Sequence, residues 1–73
     1  MTLLDADIGR EYLVDAIDTD DGELDAFLFT LGCYAGEPIT VSARRRSGCT
    51  VLIKDGKYSI DRALAAAISV RID

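Results

Sequence analysis

Leu24-Asp25-Ala26-Phe27-Leu28-Phe29-Thr30-Leu31-Gly32, followed four residues later by Gly36, decides how the rest of the chain is read. Leu24, Phe27, Leu28 and Leu31 fall at i, i+3, i+4 and i+7, the spacing of one apolar helix face. Asp20 or Asp21 can cap the start, and Glu23 and Asp25 place negative charge at the positive end of the helix dipole. Gly32 stands just past the last apolar residue, where helices end in a left-handed conformation that glycine adopts without strain. After Gly36 the period changes: Ile39, Val41 and Ala43 alternate as in a strand. The expectation is a central helix at 23–32 that feeds into strands and acts as the pivot of the fold.

On either side the chain reads as short strands. Leu3-Leu4 is an apolar patch able to pack onto the domain as a lead-in. Glu11 to Asp18 carries Tyr12, Val14 and Ile17, residue types that fit a half-buried pleated surface. A second strand runs from about Pro38 to Arg45, with Pro38 tolerated because it begins the strand or lies on an edge. Ser47-Gly48 signals a tight turn into a third strand, Cys49 to Lys54. Asp55-Gly56 reads as a type I′ pair between Ile53 and Tyr58. Asp61 then caps a short alanine-rich helix at 62–66, and Ile68, Val70 and Ile72 alternate in a last strand. Five short strands in so short a chain favour one sheet curled on itself. The fold class is therefore mainly β, a small, partly open SH3-like barrel, with residues 1–73 expected to form a single domain.

Whole-chain numbers exclude several classes of function. With 73 residues there is room for one small core, and 49% hydrophobic residues argue against disorder. The net charge of −5 argues against affinity built on neutralising phosphates, so no nucleic-acid partner is expected. No apolar run approaches the roughly 18 residues that span a bilayer, and the N-terminus lacks signal-peptide features, so the protein reads as cytoplasmic.

Catalytic and metal chemistry find little support. The chain has two cysteines, Cys33 and Cys49, and no histidine. A cysteine nucleophile would lack its usual base, and the thiols read as small buried hydrophobes. No enzymatic role, cofactor or metal ligand set is assigned. The acidic segment around Asp18, Asp20 and Asp21 fails the calcium-loop pattern. With Gly22 as the loop glycine, Ile17 and Thr19 would take the first and third ligand positions, and Leu28 the position of the bidentate glutamate. Three tyrosines scattered along the chain do not compose the aromatic groove of a proline-rich peptide reader.

Two features point to a partner. Phe29 lies off the helix stripe and, with Tyr34 nearby in sequence, could form an aromatic docking patch, or it could pack on Leu3-Leu4. Arg44-Arg45-Arg46 ends a strand and is either solvated or a contact for an acidic protein surface.

The order of elements resembles the FeoA family, small cytoplasmic accessory proteins of bacterial ferrous iron transport. The resemblance spans Gly9 to Ile72. Its most specific part is Leu31-Gly32-Cys33-Tyr34-Ala35-Gly36-Glu37-Pro38-Ile39-Thr40-Val41, supported by Leu64-Ala65 and Ile68-Ser69-Val70 at the expected distance. It implies an SH3-like barrel and, as partner, the membrane transporter FeoB. Membrane association is then expected only through that partner, and self-association is left open. Phe29, Tyr34, Arg44, Arg45 and Arg46 are the expected partner-binding residues. The same domain resembles the SH3-like C-terminal module of iron-dependent repressors. That likeness implies, as an alternative, a metal-responsive regulatory protein that binds iron or another transition metal. No catalytic or metal-binding residue is carried over.

Overall fold

The computed structural model describes residues 1–72. A 3₁₀ turn, Leu3–Asp5, is followed by β1 (Glu11–Ile17), α1 (Gly22–Leu31), β2 (Pro38–Arg45), β3 (Gly48–Ile53), β4 (Gly56–Asp61), α2 (Arg62–Ala67) and β5 (Ile68–Arg71). The strands form one antiparallel sheet in the order β4-β3-β2-β1-β5. Bulges between Val14 and Ala16 in β1, and between Val41 and Ala43 in β2, interrupt the register. Such extra residues bend and twist a strand, which curls a small sheet around its apolar face. The result is an SH3-like sheet that coils without closing.

β2 follows the residues expected of it, but it lies in the interior of the sheet, between β1 and β3. Pro38 is therefore tolerated as the first residue of its strand, not as part of an edge. The true edges are β4 and β5. The chain start covers part of the β5 edge, because Val70 N–H donates to the Met1 carbonyl at 2.9 Å and Thr2 bridges Ser69.

Alternation along the strands fills the core with Tyr12 and Val14, Ile39 and Val41, Val51 and Ile53, and Ile68 and Val70. Leu3 and Ala6 are fully buried among them, so the N-terminal patch is part of the core. The Tyr12 hydroxyl accepts a hydrogen bond from Asp7 N–H at 2.9 Å, which satisfies the polar end of a buried ring. Asp61 caps α2 by accepting from Leu64 N–H at 2.8 Å, and Ala65 is fully buried where α2 meets β3 and the 3₁₀ turn. Cys33 and Cys49 are buried free thiols, as expected of small hydrophobes.

The central helix departs from its expected role. Asp21 caps it through bonds from Glu23 and Leu24 N–H at 3.0 and 3.2 Å, and Gly32 ends it at φ 92°. Of the Leu24/Phe27/Leu28/Leu31 stripe, however, only Leu28 is buried, and Phe27 is 55% exposed. The curled sheet, Leu3 and Ala65 already fill the core, which leaves a single socket for α1. Ile72, expected to continue the last strand's apolar alternation, is likewise exposed.

Both hairpin loops fall one residue earlier than expected. Arg45 pairs with Gly48 around Arg46-Ser47, and Ile53 pairs with Gly56 around Lys54-Asp55. Lys54 has φ 51° and Asp55 has no positive φ, so the double positive φ of a type I′ turn is absent. Gly56 lies under the Tyr58 ring, which would have to move to admit a Cβ.

Candidate functional site: an aromatic face, a groove and an arginine pole

The aromatic face is built where α1 ends. Phe29, on the last turn, is 63% exposed. Tyr34 opens the next turn, which Glu37 N–H closes on the Tyr34 carbonyl at 3.0 Å. Gly36 occupies the third position of that turn at φ 91°, a requirement of type II geometry. Two bonds fasten the turn to β1: Gly36 N–H to the Val14 carbonyl (2.8 Å) and Val14 N–H to the Glu37 carbonyl (2.9 Å). Tyr34 is thus presented from a pinned segment. The rings of Phe29 and Tyr34 lie 4.8 Å apart between centroids and are tilted by 31°. Phe29 therefore packs on Tyr34 and keeps most of its surface in solvent.

The β3–β4 loop completes this face. The Lys54 stem passes over Gly32, where any Cβ would collide with it. Its ammonium sits 5.9 Å from the Tyr34 ring centroid and 3.4 Å from a Glu37 carboxylate oxygen. Such a half-exposed ion pair and a peripheral cation–π contact orient side chains more than they stabilise the fold. Hydrogen bonding to Glu37, reinforced by its negative charge, raises the Tyr34 pKa above the ordinary phenol value, while Lys54 lowers it. Tyr34 is accordingly a neutral hydroxyl at physiological pH. The face offers an apolar pad flanked by one cation and one anion, with no nucleophile–base pair.

The arginine run lies at the far end of β2 from Tyr34, so the structure does not bring the two groups of candidate residues together. Arg44, an exposed residue, reaches along the surface and donates from Nη2 to the carbonyls of Leu3 (3.1 Å) and Ala6. It tethers the N-terminal segment. Arg45 donates to Thr50 Oγ1 at 2.8 Å and Ser59 Oγ at 3.4 Å, and Arg46 occupies the β2–β3 loop. Among the described residues, none of the three pairs with a carboxylate.

A third feature has no motif in the sequence to mark it. Between α1 and α2 runs an open groove of about 470 Å³, with Leu24 and Phe27 on one side and Ala63, Leu64 and Ala67 on the other. Ile60 lies beneath, and Asp18, Thr19, Ser59 and Asp61 complete it. Leu24 and Phe27 belong to the very stripe expected to be buried, and the short alanine side chains facing them leave the space. A helix with more apolar surface than the core accepts was the available signal. No group of three acidic or thiol side chains converges on a cation position among the described residues. No helix among them is long and apolar enough to cross a membrane.

The family model for the FeoA domain matches residues 1–72. Among curated proteins, none matches the sequence. The solution structure of FeoA from Chlorobium tepidum superposes with a TM-score of 0.89 at 20% identity, covering 99% of this chain and 70% of that one. FeoA from Stenotrophomonas maltophilia in complex with zinc, described as a prokaryotic SH3 domain protein, gives 0.81 at 17% identity over 96% of this chain and 88% of that one. The manganese-activated repressor ScaR gives 0.82 at 17% identity, covering 100% of this chain but 35% of the repressor. At these identities the structural likenesses establish the fold.

Proposed function

The chain belongs to the FeoA family, and from that premise we propose that it is a non-enzymatic accessory protein of bacterial ferrous iron transport. In this reading it works in the cytoplasm by docking onto the cytoplasmic side of a FeoB-type membrane transporter and modulating its assembly or activity. One observation carries the reading beyond the family: Phe29 is held by Tyr34 with most of its ring in solvent. Aromatic side chains are costly to expose and enriched at interface hot spots, so a pre-positioned pair marks a contact face. Tyr34, Glu37 and Lys54 supply its rim. Arg45 and Arg46, at the other pole, would serve an acidic surface of the same partner.

The test is iron(II) uptake in cells that lack this protein and are complemented with variants. Phe29→Ala should fail to restore transporter-dependent uptake while accumulating to the normal level. Full restoration would remove the aromatic face from the proposal.

The alternative, a metal-responsive regulatory protein, draws on the likeness to ScaR. It predicts a saturable effect of iron(II) on the isolated protein that is lost when Asp18, Asp20 and Asp21 are changed together. No change in spectrum or thermal stability with excess iron(II) would sink it.

A further inference from the structure

We propose that the groove between α1 and α2 is a second docking site, for a partner segment that presents apolar side chains next to lysine or arginine. Three properties select this occupant. The walls are apolar, formed by Leu24 and Phe27 facing Leu64 and two alanines, and the volume of about 470 Å³ falls within the range of side-chain and ligand pockets. Phe27 remains 55% exposed, so apolar surface there is still to be covered. The polar part of the lining contains two carboxylates, Asp18 and Asp61, and no lysine or arginine, in a chain of net charge −5.

Other occupants fit less well. An anion would be repelled by both aspartates, one of which, Asp61, already accepts from Leu64 N–H. A neutral apolar ligand would strip water from the two carboxylates and offer neither a positive partner. A bound metal ion would need ligands that do not converge among the described residues. A basic, apolar segment covers the walls and pairs the carboxylates together.

This site is separate from the aromatic face. Phe27 and Phe29 are two residues apart, roughly 200° around the helix, so they point to nearly opposite sides of α1. Leu28 alone buries α1 in the core, which lets the groove wall adjust to its guest.

The experiment is an NMR titration of the isotope-labelled protein with an amphipathic leucine–lysine peptide of about twelve residues, roughly three helical turns. The same peptide with glutamate in place of lysine is the control. Saturable shifts centred on Asp18, Leu24, Phe27 and Leu64 are expected with the lysine peptide alone. Ala63→Tyr, at an exposed position of α2, should fill the groove and weaken binding by about tenfold, and Asp18→Lys should weaken it comparably. Phe29→Ala should leave the affinity unchanged. Absence of saturable shifts, equal binding of the glutamate peptide, or shifts centred on Phe29 and Tyr34 would each overturn the proposal.

Discussion

Phe29 and Tyr34 stack at 4.8 Å across the end of α1, the first from the last helical turn and the second from a turn bonded to β1. The pair couples a lightly anchored helix to a pinned loop, and it does so on the surface. With 63% of its surface exposed, Phe29 contributes little to the core, which the proposed docking role requires. Phe29→Ala should lower the unfolding free energy by about 1 kcal/mol at most, the size of one exposed aromatic pair. Denaturant unfolding of the two proteins checks this.

Leu28, one residue away, should behave in the opposite way. It is the buried residue of α1, and its truncation to alanine should cost about 2–5 kcal/mol. Because it is also the helix's main anchor, amide exchange in Leu24 to Thr30 should accelerate in Leu28→Ala before that of β2 and β3. Uniform acceleration across the protein would mean that α1 is as integral as the sheet.

Arg44 should prove structural. Its guanidinium bridges the carbonyls of Leu3 and Ala6 and so holds the N-terminal segment against the end of β2. Hydrogen bonds from charged donors are the stronger kind, and Arg44→Ala should destabilise by about 1–3 kcal/mol. Arg46→Ala, in the loop, should be close to neutral. Thermal melts of the two variants separate these roles.

Gly48 should tolerate no side chain. A Cβ there would run into the Ile60 carbonyl oxygen and the Asp61 backbone, where the first residue of β3 pairs with the last of β4. Gly48→Ala must push two strands apart and should cost about 1–3 kcal/mol, read as a lowered melting temperature.

Burial pushes the Cys33 thiol up from an ordinary 9.0 to about 11. The folded state therefore holds this proton more tightly than the unfolded chain does. The associated stability is complete below pH 9 and is lost as pH rises from 9 towards 11. Its upper bound is about 2–3 kcal/mol from the linkage between pKa and folding. Cys33→Ser should flatten the decline in melting temperature over that interval. At neutral pH the thiol should be slow to alkylate.

Much of the scaffold could be read from residue patterns. Alternation placed β2 at Pro38–Arg45, Asp61 announced the cap of α2, and Gly32 marked the end of α1. Each depends on neighbours close in sequence. The position of α1 was not legible in the same way. Periodicity says that Leu24, Phe27, Leu28 and Leu31 share a face, but not whether the sheet leaves room for more than Leu28. The β3–β4 loop slipped by one residue because Asp55-Gly56 carries the usual turn signal, whereas Gly56 begins β4 and lies under the ring of Tyr58, two residues further along the same strand. The sequence showed Phe29 and Tyr34 as neighbours. Their partnership with Lys54 depends on a residue distant in sequence that crosses Gly32, and the tether made by Arg44 depends on the path of the first six residues.

The most direct test is titration of labelled protein with the soluble cytoplasmic domain of a FeoB-type transporter, with and without nucleotide, followed by NMR. The proposed function predicts saturable shifts centred on Phe29, Tyr34, Glu37 and Lys54 that vanish in Phe29→Ala. No shifts in any nucleotide state, or shifts unchanged by Phe29→Ala, would contradict it.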